Sequence, residues 1–269
     1  MRAITFLTDF GAGSPYPAAM KAVVLGIAPD VRLVDLTHEV APQDVQEGAF
    51  VLWSVARDFP EGTVHCAVVD PGVGTERRGL ILIAGGQLFV GPDNGLLDPA
   101  ARALGEPRAF SIRSKRYLRE RISYTFHGRD VFAPVAAHLA RGVPPDAIGE
   151  PLDDWVRLEV DFQGGRWDPQ AHAWVGQVIY VDRFGNAVTN IPTRQLAGRI
   201  SFDRPVELRW GTKAERLVLK LRRSYGYAER GEVALIPGSH DLLEISVREG
   251  SARRALGLRV NDPVRLKPL

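Results

Sequence analysis

The 269-residue sequence predicts an α/β protein of two domains: an N-terminal domain with a largely parallel sheet flanked by helices, then a smaller, mostly antiparallel β domain. Two observations predict this. Up to about residue 150, apolar runs of strand length alternate with segments of helical spacing, the pattern of βαβ units. After GGRWDPQAHAW (164–174) helical periodicity nearly vanishes, and short alternating runs between turn signals take over. The expected division is therefore an α/β domain over 1–163, a linker over 164–173 and a β-rich domain over 174–269.

In the first domain the predicted strands are ITFLTDF (4–10), VRLVDLT (31–37), VHCAVVD (64–70), LILIAG (80–85) and QLFVGPD (87–93). AAMKAVVLGIA, following Ser14 and Pro15, and VQEGAFVLWSVARDF have helical spacing and start signals. FHGRDVFAPVAAHLARG carries a third helix through Val131, Val135, Ala136 and Leu139, stopped by Gly142, so that His127 falls just before a helix N-terminus. In the second domain VGQVIYVDRFGNAVTNI reads as two strands about a turn at 183–186. PVELRW, RLVLKL, EVALIP, LLEISV and PVRL are further strands, and SARRALG is one short helix.

Composition narrows the function. An apolar content of 45% suffices for a full core. The 34 basic and 32 acidic residues are interspersed, so neither a nucleic-acid stripe nor a polybasic membrane patch is expected, and small-molecule chemistry is. Cys66 is the single cysteine, which excludes an intrachain disulfide and a cysteine-built zinc site; within VHCAVV it reads as a buried strand residue. Arginine outnumbers lysine 29 to 5, which suits coding bias or heat adaptation better than a binding site. No signal-like segment opens the chain, and runs such as LILIAGG are too short to span a bilayer; a cytoplasmic protein without membrane partners is expected.

In open α/β sheets ligands sit beyond the carboxyl ends of the strands, and these strands run out near Asp9, Asp35, Asp70 and Asp93. VVDPGVGTERRG (68–79) is the most pointed case, because an apolar run ends on a carboxylate with Arg77 and Arg78 a short glycine-containing loop away. His127, flanked by Gly128, Arg129 and Asp130, is placed for close approach to a ligand, and His38 of DLTH is a weaker candidate.

Taken together, TDFG (8–11), DLTH (35–38), FPEGTVHCAVVDPGVGTERR (59–78), GPDNGLL (91–97), FHGRDVFAP (126–134) and VDRFGNAVTNI (181–191) resemble the adenosine-forming S-adenosyl-L-methionine hydrolases, or SAM hydroxide adenosyltransferases, relatives of the fluorinase and chlorinase. The resemblance implies a catalytic Asp70, Arg77 and His127. It further implies Asp9 on the ribose hydroxyls, Phe184 and Asn186 on adenine, and Asp182 and Ser239 on the methionine end. No metal and no cofactor are implied; S-adenosyl-L-methionine is the substrate. The halogenases have a Tyr in a differently built loop at the position of Asp70, so the DPGVG loop points to water as nucleophile. The sequence departs from its relatives at Gln43, where the halogenases carry a Trp, and at GSHD (238–241), where an Asn-Ser pair is usual. A homotrimer with active sites at subunit interfaces is also implied.

The residues by themselves leave two other classes open. Asp9, Asp35, His38, Asp70, Asp93 and His127 have the oxygen and nitrogen donors of a metal-dependent hydrolase, and the same pocket could serve a non-catalytic nucleoside-binding protein.

Overall fold

Apolar side chains on both faces of the N-terminal strands require cover on both sides, and helices supply it. The computed structural model describes residues 2–269 and divides at Glu159/Val160 into two units. In the first, β1 (Ala3–Thr8), β2 (Arg32–Thr37), β3 (Val64–Val68), β4 (Gly79–Ala84), β5 (Gln87–Pro92), β6 (Arg108–Ile112) and β7 (Gly149–Leu152) form one sheet, ordered β2-β1-β3-β5-β4-β6-β7. The helices are α1 (Tyr16–Ile27), α2 (Val45–Ala56), α3 (Asp98–Ala103), α4 (Ala133–Ala140) and the single turn α5 (Pro145–Ile148); α1 packs on α4, and α2 on α3. Ile4, Phe6, Met20, Cys66, Phe132 and Leu139 join the sheet to α1 and α4 in one buried cluster. Each fully buried large apolar side chain of this kind is worth about 1.5–3 kcal/mol.

The sheet is mixed rather than largely parallel. β1/β2, β1/β3 and β3/β5 are parallel, whereas β4/β5, β4/β6 and β6/β7 are antiparallel. The reversal begins at Gly85 and Gly86, whose φ of 54° and 73° close a two-residue hairpin between β4 and β5. Helix starts also differ from expectation. Pro15 sits at the N-cap of α1 with no side-chain cap, so Ser14 does not supply one, while Asp44 caps α2 by accepting from Glu47 N at 2.9 Å.

The second unit is built on β8 (Arg166–Asp168), β9 (Ala173–Val181), β10 (Ala187–Pro192), β11 (Pro205–Trp210), β12 (Glu215–Leu221), β13 (Val233–Pro237), β14 (Leu242–Val247) and β15 (Pro263–Pro268). Their order is β10-β14-β13-β12-β11-β15-β9-β8, and a further β10/β9 pairing closes the sheet into a barrel-like ring. β12/β13 is its parallel pair. Trp174, Val178, Val206, Leu208, Leu243 and Ile245 fill the interior. Helix α6 (Ala252–Leu256) is capped by Ser251, which accepts from Arg254 N at 3.2 Å, and ends on Gly257 at φ 66°. Segment 164–173 is not a free linker, because β8 within it pairs with β9. No helix of the described residues is long and apolar enough to cross a membrane.

Candidate active site

Beyond β3 the chain turns at once. Asp70 O accepts from Val73 N at 3.2 Å, and Gly72 O accepts from Thr75 N at 3.2 Å and Thr75 Oγ1 at 2.7 Å. Two glycines let this loop fold tightly. Gly74 has φ +79°, and a Cβ there would stand 2.3 Å from the carbonyl oxygen of Tyr124; a Cβ on Gly72 would lie 3.2 Å from Arg77 Cγ. The result is a loop pressed against segment 123–126 that folds Arg77 back onto Asp70.

Arg77 then uses most of its donors on its neighbours. Its Nε donates to Asp70 Oδ1 at 2.9 Å and Oδ2 at 3.1 Å, and Nη2 donates to Asp70 Oδ2. The second proton of Nη2 goes to His127 Nδ1 at 2.9 Å, and Nη1 donates to Arg78 O at 3.4 Å. The guanidinium carbon lies 5.0 Å from the centre of the Phe132 ring. Asp70, Arg77 and His127 therefore form one continuous contact, with the carboxylate 5% and the guanidinium 13% exposed, largely withdrawn from water.

His127 enters this contact from a π-helical turn over Gly128–Phe132 that runs directly into α4. Gly128 lets that turn approach the TDFG segment, since a Cβ on it would lie 3.3 Å from the Phe10 ring and 3.2 Å from Met20 Sδ. Asp130, fully buried, accepts from Arg119 Nη1 at 3.1 Å, Arg129 Nε at 2.7 Å and Ser123 N at 2.9 Å, and so ties the 119–129 loop to the turn. Burial works to raise the Asp130 pKa, but these hydrogen bonds and charges leave it below the ordinary aspartate value. The His127 pKa is also lowered, by burial first and then by the Arg77 charge, with Asp70 and Asp130 opposing. Burial and the neighbouring guanidinium thus both favour the neutral imidazole.

The other strand-end carboxylates are employed elsewhere. Asp93 accepts from Arg78 Nε and Val156 N, both at 2.8 Å, and Arg78 Nη1 also reaches Asp154 at 2.8 Å, which fastens the end of this unit to the sheet. Asp35 lies within β2, 2.5 Å from Lys21 Nζ and 3.1 Å from His38 Nε2, and His38 Nδ1 is 2.8 Å from Thr8 Oγ1. Asp9 accepts from Gln43 N at 2.9 Å, with Gln43 at φ 66°. Among the described residues no three His, Cys, Asp or Glu side chains converge as a metal site.

In the second unit Asp182 and Asn186 close the turn between β9 and β10. Asp182 accepts from Asn186 N and Nδ2, both at 2.8 Å, and Gly185 at φ +86° sits so near Ser251 that a Cβ would be 2.0 Å from its Oγ. Phe184, on the same turn, is 76% exposed. These three residues line a pocket of about 540 Å³, together with Tyr225, Arg248 and Arg254, which sequence reasoning did not single out. Ser239 is on the exposed turn after β13 and does not line it. Tyr225 and Arg248 carry no recognisable motif; it is strand pairing that brings them to the Asp182 turn.

Comparison with known proteins follows the same two units. Residues 4–149 match the SAM hydroxide adenosyltransferase N-terminal domain, and residues 176–265 match the C-terminal domain. The chain belongs to the SAM hydroxide adenosyltransferase family. Relatives in that family include the (R)-S-adenosyl-L-methionine hydrolase of Thermus thermophilus, 41% identical over 99% of this chain and 100% of that one. The (R)-S-adenosyl-L-methionine hydrolase of Salinispora tropica is 39% identical over 98% and 97%. An uncharacterized conserved protein of Thermotoga maritima, solved as a crystal structure, superposes with a TM-score of 0.91 at 36% identity over 98% of this chain and 99% of that one.

Proposed function

We propose that the chain hydrolyses S-adenosyl-L-methionine to adenosine and L-methionine by attack of water at C5′ of the ribose. The observation that carries this reading is the Asp70–Arg77–His127 contact, set in a chain that matches its family along nearly its whole length. As the water oxygen bonds to C5′, the C5′–S bond breaks with its electrons on sulfur, and the sulfonium leaves as a neutral thioether that needs no general acid. One water proton has to depart. Among the described residues Asp70 Oδ1 accepts from Arg77 Nε alone, which leaves it a lone pair to accept that proton, and Arg77 keeps the carboxylate aligned. Since Nδ1 of His127 accepts from Arg77, the proton of the neutral ring is on Nε2, which orients the water by donating to a lone pair. Such alignment can be worth about 7–11 kcal/mol of barrier.

The substrate assignments are Asp9 to the ribose, Phe184 and Asn186 to adenine, and Asp182 and Ser239 to the methionine end. The reading calls for no cofactor. The homotrimer, in which two copies complete each site, is supported by the family resemblance. It also fits the distribution of groups, with the triad carried by one unit and the Asp182 pocket by the other. A cytoplasmic location suits the buried free thiol of Cys66. The test is incubation of pure protein with S-adenosyl-L-methionine in oxygen-18 water, followed by chromatography and mass spectrometry. Adenosine labelled at the 5′ oxygen, in equal amount to methionine, is expected; unlabelled adenosine or none refutes the reading.

A further inference from the structure

Among the described residues, the buried carboxylates come with an arginine, with one exception. Asp70 has Arg77, Asp93 has Arg78, Asp98 has Arg102, and Asp130 has Arg119 and Arg129. Glu244, only 6% exposed, is in no ion pair among the described residues. It stands in the middle of β14, opposite Val188 of β10 and Ile236 of β13, and Oε2 accepts the hydroxyl proton of Tyr225 at 2.5 Å. Gly238 leaves room for it: a Cβ there would lie 2.2 Å from Oε1 and would push the carboxylate out of its place. Tyr225 and Asp182 both line the pocket of the second unit, and Asp182, whose carboxylate accepts from Asn186 N and Nδ2, has no ion-pair partner among the described residues either.

We propose that Glu244 is a positioning residue which, acting through Tyr225 beside Asp182, makes this pocket select a ligand that carries a positive charge. The physical basis is the direction of one proton. A phenol that gives its proton to a carboxylate behind it turns its oxygen lone pairs outward and gains negative character. Beside Asp182, that oxygen forms an acidic end of the pocket; of the two arginines that also line it, Arg248 donates to Ala228 O and faces Glu249, and among the described residues neither Arg248 nor Arg254 is ion-paired with Asp182 or Glu244. Burial, and then the nearby Asp182 charge, raise the Glu244 pKa against the lowering effect of the Tyr225 hydrogen bond, so an entering cation relieves a repulsion the empty pocket carries. The Tyr225 hydroxyl is likewise held in its protonated form by burial and by Glu244. This inference rests on the proposed reaction for its substrate, which offers two cations, an ammonium and a sulfonium.

The experiment is equilibrium binding to the full chain carrying Asp70→Ala, so that no ligand is consumed. Three adenosine derivatives are compared: neutral 5′-methylthioadenosine; S-adenosyl-L-homocysteine, with an ammonium but no sulfonium; and 5′-dimethylsulfonio-5′-deoxyadenosine, with a sulfonium but no ammonium. At least one charged ligand should bind about tenfold or more tightly than the neutral one, and which does so identifies the cation. Glu244→Gln should cut that preference at least about fivefold while the neutral ligand shifts less than about twofold, and Tyr225→Phe should reduce it as well. On the otherwise unaltered chain, Glu244→Gln should raise KM for S-adenosyl-L-methionine more than it lowers kcat. Equal weakening of all three ligands, or an intact preference in Glu244→Gln, overturns the proposal. If Glu244→Gln does not fold, absence of any charge preference in the parent, or its survival in Tyr225→Phe, does the same. Adenosine formation, assayed separately, reports on the reaction, and its failure leaves the charge preference readable.

Discussion

Nδ1 of His127 lies 2.9 Å from Nη2 of Arg77. A guanidinium can only donate, so this contact sets the tautomer of the imidazole and requires it to be neutral. Protonation would bring an N–H against an N–H. The His127 resonance should therefore titrate below the ordinary histidine value of 6.5, and Arg77→Gln should move it upward by removing a nearby positive charge. Proton NMR titration of the two proteins checks this, and an unmoved or downward-shifted midpoint contradicts it.

Arg77→Lys should cost about 10²-fold or more in kcat, because an ammonium cannot hold Asp70 through two nitrogens and reach His127 as well. Asp70→Ala and His127→Ala should each lose about 10²–10⁴-fold in kcat with smaller effects on substrate affinity. Asp182→Ala should show the reverse balance. Steady-state kinetics together with equilibrium binding separate the two patterns.

Gly74→Ala is predicted to damage the site through the backbone. Its Cβ would stand 2.3 Å from the Tyr124 carbonyl oxygen at a φ of +79°, so the loop must move. Strain of this kind is worth about 1–3 kcal/mol. A lowered melting temperature and lost turnover are expected, whereas Gly105→Ala, with open space around its Cβ, should cost less.

A buried histidine outside the site sets a pH dependence of stability. His65 on β3 is bridged by Thr5 Oγ1 at 2.8 Å and Gln87 Oε1 at 2.7 Å, and burial pushes its pKa from 6.5 to about 4. The unfolded chain then binds more protons between pH 6.5 and about 4, so this stabilising contribution is complete above 6.5 and is lost as the pH falls through that window. The full loss is about 3 kcal/mol. Urea unfolding at pH 4.5 and 7 measures it; His65→Leu should flatten the slope while lowering stability at pH 7, because Gln87 Oε1 loses its donor.

If two copies complete each site, mixing Asp70→Ala and Asp182→Ala chains under conditions of subunit exchange should restore part of the activity. Light scattering of the active species gives the subunit number, and a fully active monomer contradicts the assembly.

The triad was legible because loop chemistry is written in consecutive letters. DPGVG needs its glycines, and Arg77 is only seven residues from Asp70. The HGRD stretch before a helical run marked the distant His127, and the resemblance joined it to Asp70 and Arg77. The hairpin at Gly85–Gly86 had a signal too, a double glycine between two apolar runs, but the alternation of strands and helices suggested continued parallel order. The π-helical turn left no trace, since Val131, Val135 and Leu139 fit ordinary helical spacing. Tyr225, Arg248 and Glu244 were not legible at all, because pairing in a closed sheet brings Tyr225 and Arg248 to the Asp182 pocket and places Glu244 of β14 behind Tyr225.

The π-helical turn also bears on which sequence changes this enzyme family tolerates. It holds one residue more per turn than an α-helix needs, just where His127 must face Arg77. A change that let the same residues wind as regular α-helix would carry His127 about 100° further around the axis of α4. Such a chain would keep every side chain of the triad, every glycine of the Asp70 loop and an ordinary helical pattern, yet lose its chemistry. The winding of this short stretch, as much as the letters in it, separates a working descendant from a silent one.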